Sequence, residues 1–372
     1  MKKIAVVCAY PAGENPGMLS VDLAFGSVAR TLPEPVEVNY FCGEGPFELR
    51  ADQTLLQYQH LARREQLLSH DRIVYWGDFL HWIGYFENDL KYRASRRDPG
   101  ADLEQVRNAW YDLFLLEGAS AADMAKVVVF GSTLYGLDAR QLAAPRYHQA
   151  LGTLYRHAST VLMRDQVSAN YVSQIARDEA NAFGCDCALL LDPAPLKAYQ
   201  KIEVPPGDYL VYSVGRSGAN RALQGLAAEI AQRRRLKLVN IDWLGNPLGV
   251  PALADRLAVI RGARLVVTDI YHMGVSAWRE GVPVLGIGQG ASQVHGTLSD
   301  KKKEIFFRQI FASAYYLFVE EILQAYASNK LMDAYLTRVL AGLDRKPDLD
   351  FIFTTVRRQQ DAAARKLRAA LA

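Results

Sequence analysis

The chain has 372 residues, enough for two α/β domains that each bury a sizeable core. Half of the residues are hydrophobic and 22% are charged, and the net charge of +3 gives no case for nonspecific nucleic-acid binding. Four cysteines are too few for a disulfide framework in so long a chain, and no apolar run reaches the about 18 residues of a membrane span. We therefore expect a cytoplasmic protein, with contact only at the inner face of a membrane.

The first elements read as a strand, a Gly-containing loop and a helix. Residues 4–10 form a continuous apolar run that predicts a buried parallel strand, and residues 19–31 have a helical pattern. The loop between them, which contains Asn15 and Gly17, lies where α/β proteins bind polar groups of ligands. It lacks the G-x-G-x-x-G spacing of dinucleotide sites, and a tight turn without a ligand remains an alternative.

The same alternation continues to about residue 191. Strands are predicted at 36–41, 71–78, 126–130, 160–163 and 188–191, and helices at 52–69, 79–116, 145–157 and 168–183. Polar residues follow two of these strands, namely Asp78 and the pair Arg164-Asp165, with Ser168 capping the next helix. The Arg-Asp pair has an alternative role, since it could simply tie a loop. Repeated βα units predict a doubly wound parallel sheet.

Prolines at 193, 195, 205 and 206 mark a linker, after which a second βα series begins. We predict an N-terminal Rossmann-like domain over 1–196 and a C-terminal one over 205–340. A helical segment over 341–372 is predicted to pack back on the body.

The segment 254–290 is the most informative part of the chain. It predicts a helix, the strand 265–267, a polar segment that ends at His272, a second helix up to Gly281 and the strand 284–287. Polar residues at a strand end beside a helix N-terminus favour an anionic ligand. A histidine there can donate to an anion or move a proton near neutral pH, although a capping or core histidine is the alternative.

Two further segments of the second domain could hold an anion. Residues 214–221 (VGRSGANR) follow a strand and combine small residues with two arginines, which could fork onto phosphate or carboxylate. Lys301-Lys302-Lys303 could close over an anion from a loop. A solvated turn and a solvated helix start are the respective alternatives.

The predicted site residues fall into three sets. His272 and Asp269 are the predicted catalytic pair. The predicted donor-binding residues are Arg216, Ser217, Asn220, Arg221, Tyr271, Gly274, Gln289, Lys301 and Lys302. The predicted acceptor-binding residues are Asn15, Gly17, Asp78, Arg164 and Ser168. No His/Asp/Glu cluster has metal-ligand spacing, so neither a metal nor a cofactor is predicted.

These motifs, in this order, resemble those of the polysaccharide pyruvyl transferase family over most of the chain. Asn15-Pro16-Gly17 is similar to its N-x-G-D turn, and 161–168 to its v-x-v-R-D-x-x-S segment. Residues 266–272 are similar to its v-v-T-D-R-L-H-G signature, and 281–284 to its g-x-P-v strand, while Asp192 fits the strand that closes the first domain. The resemblance implies a GT-B-like fold, in which two Rossmann-like domains face one another across a cleft.

It also implies transfer of a pyruvyl group from phosphoenolpyruvate to hydroxyls of a sugar or glycolipid in cell-surface polysaccharide synthesis. In such an enzyme we expect the acceptor on the first domain and the donor on the second. His272 would be the acid or the phosphate ligand. Three positions depart from the family: Ile270 replaces the arginine that would grip the donor, Met273 a glycine, and Met18 the aspartate of N-x-G-D. Two alternatives therefore stay open, a GT-B glycosyltransferase with a nucleotide-sugar donor and a degenerate, non-catalytic family member.

Overall fold

The computed structural model describes residues 1–9, 15–43, 56–77, 79–98, 100–137, 140–141, 144–176, 182–290 and 298–372. The chain divides into two compact units. The first comprises Met1–Ala12, Val21–Leu191 and Gln360–Ala372, and the second comprises Gly13–Ser20 and Asp192–Gln359. The start of the first helix therefore belongs to the second unit, and the last helix begins in the second unit and ends in the first.

The first unit contains a six-stranded parallel sheet in the order β3-β2-β1-β4-β5-β6. The strands are β1 (Lys2–Cys8), β2 (Val36–Cys42), β3 (Tyr58–His60), β4 (Arg72–Trp76), β5 (Val127–Ser132) and β6 (Thr160–Met163). The apolar residues of β1, β4 and β5 are almost entirely buried, as expected of strands covered on both faces.

Helices flank this sheet. They are α1 (Pro16–Ala29), α2 (Glu65–Leu68), α3 (Ile83–Tyr85), α4 (Lys91–Arg97), α5 (Leu103–Phe114), α6 (Ala121–Met124), α7 (Pro145–His157) and α8 (Gln166–Ala176). A π-helical turn, Phe86–Leu90, joins α3 to α4, and a 3₁₀ turn lies at Cys187–Leu190, while a second 3₁₀ turn, Ala194–Tyr199, belongs to the second unit.

Two predictions for the first unit were wrong. The predicted helix 52–69 is, in its described part, the edge strand β3 followed by the single turn α2, because Tyr58 pairs with Tyr40 of β2. The predicted strand 188–191 is a 3₁₀ turn, because the Asp186 side chain accepts a hydrogen bond from the Ala188 N–H and caps it.

The second unit contains a five-stranded parallel sheet in the order β11-β10-β9-β7-β8. Its strands are β7 (Tyr209–Ser213), β8 (Lys237–Asn240), β9 (Leu265–Thr268), β10 (Val284–Gly288) and β11 (Tyr316–Phe318). Its helices are α9 (Asn220–Arg234), α10 (Val250–Gly262), α11 (Tyr271–Arg279), α12 (Leu298–Gln309), α13 (Val319–Ala325), α14 (Asn329–Leu343) and α15 (Lys346–Leu371). A 3₁₀ turn, Ser313–Tyr315, precedes β11.

The predicted fold class, two doubly wound parallel α/β domains with C-terminal helices, is confirmed. The segment predicted as helix, strand, helix and strand is observed as α10, β9, α11 and β10. The assignment of an acceptor side to 1–196 and a donor side to 205–340 stays a prediction.

Candidate active site

The order of the second sheet reverses between β7 and β9. These strands lie side by side, with Ser213 opposite Thr268, although β8 separates them in the sequence. In open α/β sheets such a reversal leaves a crevice beyond the carboxyl ends of the two strands, where ligands bind. The loop after β7 and the start of α11 therefore meet at the position expected for a ligand.

Asp269, which follows β9, connects the loop after β7 to the start of α11 through hydrogen bonds. Its carboxylate accepts hydrogen bonds from the backbone N–H groups of Gly215 (3.1 Å), Arg216 (2.8 Å) and Ser217 (2.9 Å) and from the Ser217 hydroxyl (2.7 Å). The Asp269 side chain is fully buried, and these donors already satisfy it. The geometry argues against the predicted catalytic role of Asp269 and favours a role in positioning the loop.

The same contacts decide what the 215–217 loop can offer a ligand. Its backbone N–H groups donate to the Asp269 carboxylate, so they are already occupied and do not bind an anionic ligand. Ser217 is buried and engaged in this contact, whereas the Arg216 side chain is exposed. Of these two predicted donor-binding residues, Arg216 is the one that is accessible to a ligand.

Helix α11 begins at the end of β9. Ile270 is its N-cap, and the Ile270 N–H donates to the Thr268 hydroxyl (3.0 Å). The N–H groups of a first helical turn have no acceptor within the helix and carry the positive end of its dipole, so they attract anions. Ile270 itself is 8% exposed and Met273 is fully buried, so neither presents a side chain to a ligand.

His272 lies in this first turn and is half-buried. Its ring packs edge-on against Tyr271, with centroids 5.0 Å apart, and Tyr271 in turn packs against Phe306. On another side the imidazole lies against Gly17, which belongs to the same unit.

Gly17 lies in the first turn of α1. The Asn15 side chain accepts a hydrogen bond from the Gly17 N–H (3.0 Å), and the Asn15 carbonyl accepts from Leu19 (2.9 Å). The starts of α1 and α11 thus converge on one imidazole, and we call residues 15–17 and 270–272 the two-helix site. Asn15 and Gly17 were predicted to bind the acceptor, but their contacts place them with His272.

The lysine that reaches this region is Lys303. Its ammonium donates to the carbonyls of Asp269 (2.7 Å) and Ile287 (2.7 Å) and pairs with the Asp300 carboxylate (2.8 Å). Burial lowers the pKa of Lys303, and the Asp300 carboxylate opposes that shift. The predicted Lys301 and Lys302 lie half-buried on α12, and the helical phase turns Lys303 inward instead.

Two other predicted donor-binding residues have structural contacts. Gln289 follows β10, and its side-chain amide donates to the Ser217 carbonyl (3.3 Å). Gly274 is buried in α11, where a Cβ would lie 3.8 Å from Val284 and 3.9 Å from Thr268. Gly274 therefore packs on the sheet rather than toward a ligand.

Asn220 and Arg221 have a different environment from His272. They are exposed at the start of α9 and line a surface cavity of about 630 Å³ together with Leu323 and Tyr326. The structure does not bring this pair to the two-helix site, so their predicted role in donor binding stays a prediction.

The predicted acceptor residues of the first unit are held in buried networks. Arg164 is 4% exposed and lies 3.5 Å from the Asp186 carboxylate. The Ser168 hydroxyl donates to Asp165 (2.9 Å) and accepts from the Leu134 N–H (2.8 Å). These contacts argue against direct acceptor binding by Arg164 and Ser168, and Asp78 lies outside the described residues.

Sequence reasoning missed Lys303 as the inward lysine and missed the contact between Gly17 and His272. The lysine run was the signal for the first, and nothing local in the sequence signals the second. Within the described ranges, no group of three or more His, Cys, Asp or Glu side chains could hold a metal ion. Within the same ranges, every helix is too short or too polar to cross a membrane.

Comparisons with known proteins give a fold and no family. No protein-family model matches the chain, and a search of curated proteins finds no match. A candidate UDP-N-acetylglucosamine 2-epimerase from Listeria monocytogenes is similar in structure, with a TM-score of 0.51 and 13% sequence identity over 99% of this chain and 95% of that one.

Two further solved structures are more distant. A UDP-GlcNAc 2-epimerase from Neisseria meningitidis bound to UDP-GlcNAc has a TM-score of 0.47 at 12% identity, covering 100% of this chain and 99% of that one. An alpha-glucosyltransferase in complex with UDP and DNA has a TM-score of 0.41 at 9% identity, covering 94% and 99%. The chain has a GT-B-like fold.

Proposed function

We propose that the protein is a transferase that uses a nucleotide-sugar donor. The observation that carries this proposal is the two-helix site, where the N-termini of α1 and α11 meet at the His272 imidazole, together with the exposed Arg216 in the loop that Asp269 holds beside the start of α11. This arrangement suits a diphosphate, because both helix dipoles and the guanidinium favour negative charge. The similar Listeria protein is named for a UDP-sugar, which agrees with such a donor.

In glycosyl transfer these residues would have two kinds of role, stabilising the departing group and holding the loops in place. The acceptor hydroxyl oxygen bonds to the sugar carbon and releases its proton, while the bond between that carbon and the donor oxygen breaks and negative charge develops on the departing nucleoside diphosphate. N–H groups of the first turn of α11 and the Arg216 side chain would stabilise that charge in place, and His272 would donate a hydrogen bond or a proton to it. Asp269 and Lys303 would fix the loop and the strand ends that carry these groups.

Pyruvyl transfer from phosphoenolpyruvate is the second candidate, and the position of His272 within its Thr268–His272 segment favours it. That reaction needs a cation on the donor carboxylate. The three residues that depart from the family signature, Met18, Ile270 and Met273, are all apolar and nearly or fully buried. They pack in the core instead of gripping an anion, which is why we place the nucleotide-sugar donor first.

A thermal-shift panel of UDP, several UDP-sugars and phosphoenolpyruvate tests the choice of donor. A ligand of the native state at 100 times its Kd should stabilise the fold by about 2.7 kcal/mol and raise Tm. We expect stabilisation by UDP or a UDP-sugar. Stabilisation by phosphoenolpyruvate alone would support pyruvyl transfer, and stabilisation by no donor would support a non-catalytic family member.

A matched pair of arginine variants locates the binding site. Arg216→Ala should weaken binding of UDP by about tenfold or more, because it removes a charge-assisted hydrogen bond to phosphate. Arg358→Ala, an equally exposed change on α15, should leave the affinity unaltered. Equal affinities of Arg216→Ala and the unmodified protein for UDP, measured by calorimetry, would remove Arg216 from the proposed donor site.

A further inference from the structure

Gly17 and His272 are in unusually close contact. A Cβ atom built on Gly17 would lie 2.5 Å from Nδ1, 2.7 Å from Cβ and 2.8 Å from Cγ of His272. Carbon atoms that are not bonded to each other are most stable about 3.5–4.0 Å apart, so these separations would be strongly repulsive. The position therefore accepts only hydrogen as a side chain while the two helices keep their present spacing.

Rotation of the imidazole would not make room for a larger residue. A new χ1 would move Nδ1 and Cγ away, but the His272 Cβ is fixed to the backbone of α11 and would remain 2.7 Å away. A side chain at position 17 must therefore push the first turns of α1 and α11 apart. Restoring an ordinary contact of about 3.5 Å would move the two turns apart by about 0.8 Å.

The backbone at Gly17 gives no other reason for a glycine. The residue lies in the first turn of α1 and does not have a left-handed φ, so its backbone conformation is one that any L residue can adopt. Backbone geometry alone would therefore tolerate alanine. The contact with His272 is what excludes it.

We infer that Gly17 is a positioning residue, which sets the spacing between the two helix N-termini and thereby the place of the His272 imidazole. This inference rests on the proposed function, in which that spacing determines the fit of the donor phosphate. It replaces the prediction that Gly17 binds the acceptor. A misplacement of about 1 Å in such a site can cost on the order of a hundredfold in rate.

Gly26 provides the matched control. It lies in the same helix, and a Cβ there would meet only the ends of the Arg30 and Tyr40 side chains at 3.7 Å. Gly17→Ala should lower kcat with the nucleotide-sugar by about 10- to 100-fold, with a smaller change in KM for the acceptor. Gly26→Ala should stay within about twofold of the unmodified protein, since this change meets no obstacle.

A spectroscopic readout keeps the test independent of the proposed donor. In protein labelled at histidine, the imidazole signal of His272 is the one that His272→Ala removes. Gly17→Ala should shift that signal while the other histidine signals stay in place, and Gly26→Ala should not shift it. An unmoved His272 signal in Gly17→Ala would overturn the inference, whichever donor the enzyme uses.

A second variant tests whether any loss of stability in Gly17→Ala arises from the contact with His272. If Gly17→Ala lowers Tm strongly, Gly17→Ala combined with His272→Gly should restore it, because the glycine removes the Cβ that the new methyl group meets. A failure of His272→Gly to restore Tm would contradict the inference, since the strain would then arise elsewhere. Failure of the donor panel with a shifted His272 signal would reject the proposed function and leave the positioning role intact.

Discussion

Two strand ends in this chain are built on the same plan and differ in one side chain. Asp165 follows β6 and Asp269 follows β9, and both carboxylates are buried. Asp165 accepts from Thr133 (2.7 Å) in the segment after β5, as Asp269 accepts from the loop after β7. Each aspartate therefore ties its own strand end to a loop of the neighbouring strand.

The difference lies three residues further along. Ser168, three residues after Asp165, is fully buried, and its hydroxyl donates to Asp165 and accepts from the Leu134 N–H. His272, three residues after Asp269, is only half-buried. One strand end is thus closed on itself, whereas the proposed function assigns a proton donor to the other. Under that proposal the two aspartates have the same structural role, and the side chain three positions later distinguishes the two strand ends.

The largest expected effect is on turnover, and it should distinguish a change at His272 from a change at Ser168. His272→Ala should lower turnover of the nucleotide-sugar by about 100- to 10,000-fold, because it removes the proton donor, and should leave Tm nearly unaltered. Ser168→Ala is the matched control, and it should retain turnover within a few-fold while lowering Tm. Full activity of His272→Ala in a product assay would remove His272 from the mechanism.

The next effect concerns the pH dependence of stability, and it involves a third buried aspartate, Asp22. Asp22 in α1 is 1% exposed and accepts a hydrogen bond from the Tyr58 hydroxyl (2.6 Å). Burial raises the pKa of Asp22 to about 7, against a usual value of 3.8, and the hydrogen bond from Tyr58 opposes that shift. Between these pH values the folded protein holds a proton that the unfolded chain releases, so stability falls as pH rises.

We therefore expect Asp22→Asn to gain stability relative to the unmodified protein as pH rises from 4 to 8, by up to about 4 kcal/mol. Urea unfolding of both proteins at each pH gives this difference. The subtraction cancels groups common to both, such as His81, whose pKa burial lowers to about 3. A difference that is constant over this pH range would show that Asp22 ionises normally.

A smaller effect is expected from Asp269→Asn. The amide can accept fewer of the N–H groups of residues 215–217, and leaving buried donors unpaired costs about 1–3 kcal/mol. Asp165→Asn should cost a similar amount, but only the Asp269 variant should also weaken binding of UDP. Calorimetry of both variants that shows the same UDP affinity would break the proposed distinction between the two strand ends.

The smallest effect tests the closed strand end itself. Ser168→Ala should lower the free energy of unfolding by about 1 kcal/mol, because the Leu134 N–H loses its buried acceptor. Ser173→Ala in the same helix should cost less, since that hydroxyl donates to a carbonyl four residues earlier in α8. Urea unfolding that ranks the two variants in the opposite order would contradict this account of Ser168.

The fold was accessible from the sequence because its signals are local. Continuous apolar runs such as that of β1 and polar residues at strand ends predicted the repeated βα units. The three-residue strand β3 was not accessible, since it depends on pairing with β2 and its own sequence reads equally well as a helix. The 3₁₀ turn after Asp186 likewise depends on one side-chain cap.

The candidate site was only partly accessible. His272 was found because its neighbours place it after a strand and before a helix, both of which are local features. The choice among three consecutive lysines depends on the rotation of α12, which sets Lys303 against Asp269. The role of Gly17 depends on a contact between opposite ends of the chain, which no single-sequence pattern encodes.

The division of α15 between the two units has a consequence for how the protein is made. Leu367 and Leu371 are buried in the first unit, and Gln360 and Lys366 donate to the carbonyls of Leu189 and Phe183. The ribosome adds these residues only after the entire second unit has been synthesised. The nascent first unit therefore completes its core only when the last turns of α15 emerge, after the whole of residues 192–359 has been made.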